Sequence, residues 1–152
     1  MGTRWLTKDE QRAWRAYLES AKVLFDALDR QLQRQADMPH AYFEILVRLS
    51  EAEGRAMRMS ELADITLSSR SRLSHAAARL EERGWVKREN CATDRRGQIA
   101  RLTDAGFAVL AAAAPGHVDS VRDYVIDTLT PEQLQHLAVI GETIIAKVAA
   151  TP

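Results

Sequence analysis

The chain has 152 residues and equal numbers of basic and acidic side chains, 21 of each, so its formal net charge is zero. With 46% hydrophobic and 28% charged residues it can form a core, which argues against disorder, and its length fits either one domain or a domain with an appended association module. One cysteine excludes an intrachain disulfide or a multi-cysteine metal site, and no apolar run approaches the roughly 18 residues that span a bilayer. We therefore expect a cytoplasmic protein with no membrane partner.

The first 38 residues predict a single long helix. Thr7 and Glu10 have the spacing of a capping box, and no proline or glycine follows before Pro39. The predicted helix is about 28 residues long, or roughly 42 Å. Because this exceeds what a compact domain of this size needs, residues 1–38 are predicted to be an association helix. Its apolar stripe, spaced three and four apart, consists of Trp14, Tyr17, Leu18, Ala21, Leu24, Phe25, Leu28 and Leu32.

Two shorter helices are predicted next. The second helix begins near Pro39 and stops at Gly54. Ser60 is predicted to cap a short third helix, and residues 66–69 form a turn. The side chains predicted to point inward from these two helices are Tyr42, Ile45, Leu46, Leu49, Leu62, Ala63 and Ile65.

A fourth helix is predicted over residues 69–83, with Gly84 as its terminator. Its buried face is Leu73, Ala76, Ala77 and Leu80. The opposite face is small, polar or basic, as expected of a helix that enters a groove closely and offers hydrogen-bonding groups there. That outward face and its flanks consist of Ser68, Ser71, Arg72, Ser74, His75, Ala78 and Arg79.

A β-hairpin is predicted after the fourth helix. Residues 85–89 and 98–102 are typical of two short strands, and the polar, turn-rich residues 90–97 between them predict a long basic loop. The short third helix, the helix at 69–83 and this hairpin together predict a helix-turn-helix with a wing.

The last third of the chain predicts further helices. A fifth helix begins at Thr103, and Pro115 with Gly116 is expected either to kink it or to split it. Thr130 and Gln133 form a second capping box before the last helix, whose apolar positions cover more than half of its circumference. Because its own core needs only one face, we expect the excess to be buried against another chain.

The positive charge is concentrated on the predicted helix-turn-helix and wing. From Ser68 to Arg101 nine basic side chains face four acidic ones, a local charge of +5, and the rest of the chain carries −5. A helix of this kind reads the major groove of DNA, and wing arginines enter the minor groove. Charge and predicted structure therefore agree on DNA binding, although a solvated basic surface or a winged helix used for protein contact stays open as the alternative.

The sequence resembles the MarR family of bacterial winged-helix transcription regulators. The resemblance is carried by the run LEERGWVKR at residues 80–88 and by Asp94-x-Arg96, followed after five residues by LTDAG at 102–106. It covers nearly the whole chain, and the opening Arg4–Thr7 resembles actinobacterial members. The implied fold is mainly α with a small β-hairpin wing, in which a winged helix-turn-helix at 39–103 is flanked by dimerisation helices at 1–38 and 104–152.

The resemblance also implies a homodimer, usually a repressor, on a pseudo-palindromic operator in a nucleoid-associated setting. Asp94 is expected to orient the wing through a carboxylate–guanidinium contact, because it would repel phosphate. The residues that fall where the family contacts DNA are Ser68, Ser69, Arg70, Ser71, Arg72, Ser74, His75 and Arg79 on the helix and Arg95 and Arg96 on the wing.

A small phenolic or anionic effector is a further implication. Its candidate ligands are Trp14, Tyr17, His40, Tyr42, Phe43 and His117, although aromatic residues at helical spacing are by default ordinary core or interface packing. Peroxide-sensing relatives place their reactive cysteine near the start of the first helix, so Cys91 is predicted to be an inert or weakly reactive thiol. The four histidines share no metal-ligand spacing, so no metal site is expected. The sequence contains no catalytic constellation, so we expect neither a cofactor nor enzymatic activity.

Overall fold

The computed structural model describes residues 2–151, except for the side chain of Arg95. The chain forms two units, one ending at His117 and one beginning at Val118. The elements in chain order are α1 (Lys8–Ala36), α2 (His40–Glu51), a 3-10 turn (Glu53–Arg55), β1 (Ala56–Arg58), α3 (Met59–Ile65), α4 (Arg70–Glu82), β2 (Val86–Cys91), β3 (Asp94–Leu102), α5 (Asp104–Val121), a π-helical turn (Arg122–Ile126) and α6 (Pro131–Ala149). The expected class, mainly α with a small antiparallel sheet and a wing, is confirmed.

The long first helix forms as predicted, but only its end is buried. Thr7 Oγ1 accepts a hydrogen bond from the Glu10 amide at 3.2 Å, and the Thr7 amide donates to Glu10 Oε2 at 2.8 Å, which completes the capping box. Leu28 and Leu32 are buried, whereas the earlier part of the predicted stripe is largely exposed, including Trp14. Within its own unit α1 therefore contributes to the core through its last turns.

The core lies between α1, α2, α3, α4 and the sheet. Its fully buried side chains are Leu32, Met38, Leu46, Leu49, Leu62, Leu73 and Leu80. The prediction that Ile65 points inward is wrong: it is the last residue of α3, and 42% of its surface is exposed. The predicted Ser60 cap is also wrong, because β1 leads directly into α3 and Arg58 occupies the N-cap position.

The sheet has the order β1–β3–β2, and both pairings are antiparallel. The pairing of β2 with β3 continues from Val86 and Leu102 out to Cys91 and Asp94. The predicted long loop at 90–97 is therefore wrong: its outer residues belong to the strands, and the turn is only residues 92–93. Strand β1 was not predicted; it pairs with β3 from Ala56 opposite Arg101.

The junction between α4, the sheet and α5 is tightly packed. Gly84 has a φ of 76°, which lets the Trp85 amide return to the Leu80 carbonyl at 3.0 Å and end α4. Thr103 Oγ1 donates to the Gly84 carbonyl at 2.6 Å and accepts from the Gly106 amide at 3.0 Å. This hydroxyl therefore joins the end of α4 to the first turn of α5.

The C-terminal helices keep most of their predicted features. α5 continues through Pro115 to Val121, so it is not split there, and it passes into the π-helical turn instead. Thr130 caps α6 through a complete capping box with Gln133. The apolar side chains of α6 that the second unit leaves exposed are Leu137, Val139, Ile140, Ile144, Ile145 and Val148.

Candidate nucleic-acid interface

The outward face of α4 is open to solvent. Ser69 Oγ caps the helix by accepting from the Arg72 amide at 3.1 Å, which leaves the remaining first-turn N–H groups and the positive end of the helix dipole at this end. Leu73 on the opposite side is buried. The predicted DNA-contacting residues on this helix are all exposed except Ser68, which is half-buried; the exposed ones are Ser69, Arg70, Ser71, Arg72, Ser74, His75 and Arg79.

The wing places Arg96 beside that face. Asp94 Oδ1 accepts a hydrogen bond from the backbone amide of Arg96 at 3.0 Å, so the carboxylate does order the strand that leaves the turn. None of the ion pairs of the described side chains involves Asp94, and the side chain of Arg95 lies outside the described part of the chain, so the predicted carboxylate–guanidinium contact of Asp94 stays a prediction.

A cavity of about 350 Å³ lies between the start of α4 and the wing. Arg70 from α4, Arg96 from the wing and Arg58 from β1 line it, and Asp94 is the one acidic side chain among its lining residues. Uncharged side chains complete the wall: Met59, Ser60, Leu73, Ser74 and Gln98. The cavity therefore has a strongly positive lining that three separate elements of the fold contribute.

Several basic side chains of the +5 segment are already paired within the protein. Arg79 pairs with Glu82 at 3.1 Å, and Arg101 pairs with Glu89 at 3.4 Å. Arg88 pairs with Glu81 and also donates to Ser74 Oγ at 3.3 Å, so this serine is less available than its exposed position suggests.

The remaining arginines of the surface lack such partners. Among the ion pairs of the described side chains, none involves Arg58, Arg70, Arg72 or Arg96. Three of these four line the cavity. Arg83 and Lys87 are also absent from these ion pairs, but neither lines the cavity; three arginines without an ion pair therefore meet between α4 and the wing.

Sequence reasoning missed Arg58. It precedes the basic segment in the chain and belongs to a three-residue strand, and only the pairing of that strand with β3 brings it to the wing. Its Nη2 donates to Thr93 Oγ1 in the wing turn at 3.3 Å.

The predicted effector residues do not form one pocket. The rings of His40 and His117 lie 5.6 Å apart, and that of Phe43 lies 4.4 Å from His117. Phe25, which was not among the effector candidates, joins them at 5.5 Å from His40. Burial, and then the nearby charge of His40, lowers the pKa of His117, whose Nδ1 is buried without a hydrogen-bond partner among the described atoms.

The other effector candidates lie elsewhere. Trp14 and Tyr17 contact each other on the exposed part of α1, with ring centroids 6.2 Å apart. Tyr42 instead lies 5.9 Å from the Arg83 guanidinium, in a cation–π arrangement. The structure therefore gathers His40, Phe43 and His117 in one cluster and pairs Trp14 with Tyr17 in another place.

The thiol of Cys91 lies at the end of β2. Its Sγ is 3.3 Å from Thr93 Oγ1, and this hydrogen bond, with a smaller contribution from the charge of Arg58, lowers the pKa of Cys91. Its predicted inertness stays a prediction. Within residues 2–151 no three histidine, cysteine or acidic side chains converge as metal ligands, and no helix there is long and apolar enough to cross a membrane.

Comparison with known proteins agrees with this geometry. The profile of the MarR family matches residues 36–97, which include α2, the helix-turn-helix and the wing turn. A crystal structure of Sco3205, a MarR family transcriptional regulator from Streptomyces coelicolor in complex with DNA, is 55% identical, with a TM-score of 0.93 over 99% of this chain and 93% of that one. The chain belongs to the MarR family.

Two further MarR relatives extend the match. AbsC, also from Streptomyces coelicolor, is 46% identical, with a TM-score of 0.93 over 98% of this chain and all of that one. The transcriptional regulator PecS from Dickeya dadantii is 32% identical over 101 residues, which are 65% of this chain and 60% of PecS. The match thus spans less than two thirds of PecS, whereas both Streptomyces structures are matched over nearly their full lengths.

Proposed function

We propose that this MarR-family chain is a homodimeric, DNA-binding transcriptional repressor. In this proposal α4 enters the major groove of a pseudo-palindromic operator and the wing enters the adjacent minor groove. The observation that carries it is the surface of Arg70, Arg72 and Arg96, which is exposed and has no ion-pair partner among the described residues. The DNA complex of the 55% identical Sco3205 supports it, and a nucleoid-associated, cytoplasmic location would follow.

The homodimer is supported by the apolar surface of α6. More than half of the surface of Val139, Ile140, Ile145 and Val148 is exposed. Contiguous apolar surface of this kind is typical of an interface between subunits. Replacement of Ile140 and Ile145 by Glu is therefore expected to dissociate the dimer, whereas Gln135→Glu on the same helix is not; sedimentation equilibrium at micromolar concentration measures both.

The effector part of the proposal rests on the cluster of His40, Phe43 and His117. An apolar cluster with two imidazoles can stack on a phenolic ring and donate a hydrogen bond from an imidazole N–H to an anionic group. A phenolic carboxylate is therefore expected to weaken operator binding only to the extent that it prefers a dimer geometry that does not fit the operator.

The decisive experiment is a footprint on the DNA upstream of the gene for this protein, followed by binding measurements at several salt concentrations. We expect two half-sites about 10 base pairs apart, and an affinity that falls steeply with salt. Arg96→Ala and Arg95→Ala should each weaken binding. Arg30→Ala is the matched control, because Arg30 is paired with Asp26 on α1. Affinity that does not change with salt would contradict the proposal, and a stable protein complex without duplex binding would favour a protein-contact module.

A further inference from the structure

Arg58 lies between the start of α4 and the wing. The sugar–phosphate backbone is what separates a major groove from the neighbouring minor groove. If α4 occupies the first and the wing the second, the intervening phosphates lie between these two elements. The cavity lined by Arg58, Arg70 and Arg96 is located between the start of α4 and the wing.

We propose that the operator backbone passes this cavity, that the cavity binds one of its phosphates, and that Arg58 is one of the ligands. The inference rests on the proposed function and adds a residue from outside the helix-turn-helix and the wing. Arg58 belongs to β1, whose register fixes it opposite Ile99 of β3, so its position is set by the sheet rather than by a loop.

The chemistry of the site matches a phosphate. Three arginines and one aspartate line the cavity, and Asp94 Oδ1 already accepts a hydrogen bond from the Arg96 amide. The N-terminal end of α4 adds partial positive charge at the same place. An arginine has five N–H donors, and the one hydrogen bond described for Arg58, to Thr93, leaves most of them for phosphate oxygens.

The contact with Thr93 suggests a different role that the experiment must separate. Arg58 could act by holding the wing turn in place, since Thr93 is one of the two turn residues. In that case removal of the Thr93 hydroxyl would reproduce the loss of the arginine. An arginine that binds a phosphate instead releases counterions from the DNA, which steepens the salt dependence of binding. Thr93 cannot contribute in this way, because its side chain is uncharged.

The expected effect follows from the counterion relation. Each phosphate contact contributes about 0.9 to the slope of log K against log salt, so one contact per protomer is worth about 1.8 for a dimer. The factor is taken between 1 M and 0.15 M salt: each contact raises the affinity about five- to sixfold at the lower concentration, or roughly 30-fold for the dimer. Because phosphates carry no sequence information, the loss should be similar for operator and for random duplex.

The test measures binding of full-length wild type, Arg58→Gln, Arg58→Lys, Thr93→Val and Arg122→Gln to the footprinted operator and to a random duplex, from 0.05 to 0.3 M salt. Arg122→Gln removes one positive charge from the unit beginning at Val118 and controls for net charge. We expect the lowered slope only for Arg58→Gln, with much of the slope kept by Arg58→Lys.

Each outcome is decisive, given unchanged thermal unfolding of the variants. A wild type that does not bind duplex overturns the proposed function, and the phosphate site with it. A wild type that binds, with Arg58→Gln keeping the full slope, overturns the phosphate site alone. If Thr93→Val lowers the salt slope as much as Arg58→Gln does, the phosphate site is overturned in favour of wing positioning. If Arg122→Gln lowers it as much, the phosphate site is overturned in favour of a net-charge effect.

Discussion

Replacement of Gly106 by alanine should destabilise the protein, although alanine is the better helix former. Gly106 lies in the first turn of α5, and an ideal Cβ there would be 2.1 Å from the Trp85 carbonyl oxygen and 2.8 Å from Leu102 Cδ1. Real Cβ contacts are essentially never shorter than 3.0 Å, so α5 and the backbone at Trp85 must move apart by nearly the difference between 2.1 Å and 3.0 Å. The atom in the way is backbone, which cannot rotate aside as a side chain can.

The size of the effect follows from what such a separation disrupts. The Trp85 carbonyl also accepts a hydrogen bond from the Thr103 amide at 3.1 Å. Loss of that bond costs about 1 kcal/mol, and an extra methyl group in a packed site costs about 1–3 kcal/mol. The helix propensity of alanine offsets up to about 1 kcal/mol. We therefore expect a net loss of about 2 kcal/mol in the free energy of unfolding, or roughly 4–8 °C in Tm.

Thermal and denaturant unfolding at one fixed protein concentration measure this change. Ala105→Gly in the same turn is the matched control, because Ala105 is exposed and its replacement isolates the helix-propensity term. The control should cost at most about 1 kcal/mol. A Gly106→Ala variant that unfolds at or above the wild-type temperature would refute the close approach of α5 to the sheet.

Three further predictions concern stability. Thr103→Ala should lower the free energy of unfolding by about 1–2 kcal/mol, and Thr103→Ser should restore most of it in urea titrations, because the hydroxyl caps α5 and joins it to α4. Leu67 is exposed with a φ of 51°, so Leu67→Gly should raise that free energy by about 0.5 kcal/mol; a clear decrease would show that the leucine is not strained. Because the pKa of His117 is lowered in the folded protein, the unfolded chain binds more protons than the folded one once the pH falls below the ordinary histidine pKa of 6.5. Wild type should therefore lose stability from pH 7 to pH 5, and His117→Phe should lose less in urea titrations at both pH values.

Local signals in the sequence were sufficient for most of the helices. The capping boxes at Thr7 and Thr130 predict the starts of α1 and α6, because both partners of each box lie within four residues. The outward face of α4 follows from helical periodicity and from Gly84 as terminator. Such features depend on neighbours in the chain, and the structure confirms them.

Features that depend on distant pairing were not predictable. Strand β1 is three residues long and exists because Ala56 pairs with Arg101, far along the chain. The same pairing places Arg58 at the wing and makes it the N-cap of α3. Because nothing near Arg58 in the sequence indicates this strand, the local pattern favours Ser60 as the cap. The polar residues 90–97 predict a long loop, whereas the structure has a turn of only residues 92–93; Asn90, Cys91 and Asp94 take part in the pairing of β2 with β3, and residues 95–97 form an irregularity within β3.

The contacts of Arg83 have a mechanical consequence. Its guanidinium donates to the carbonyl of Asp37, just beyond α1, at 2.6 Å and lies 4.8 Å from the ring of Trp85. The end of α4 is thus fastened to the end of the long first helix, at the opposite end from the cavity. A small tilt of α1 would swing the cavity end of α4 through an arc, and in the proposed dimer it would change the spacing of the two α4 helices without unwinding either of them.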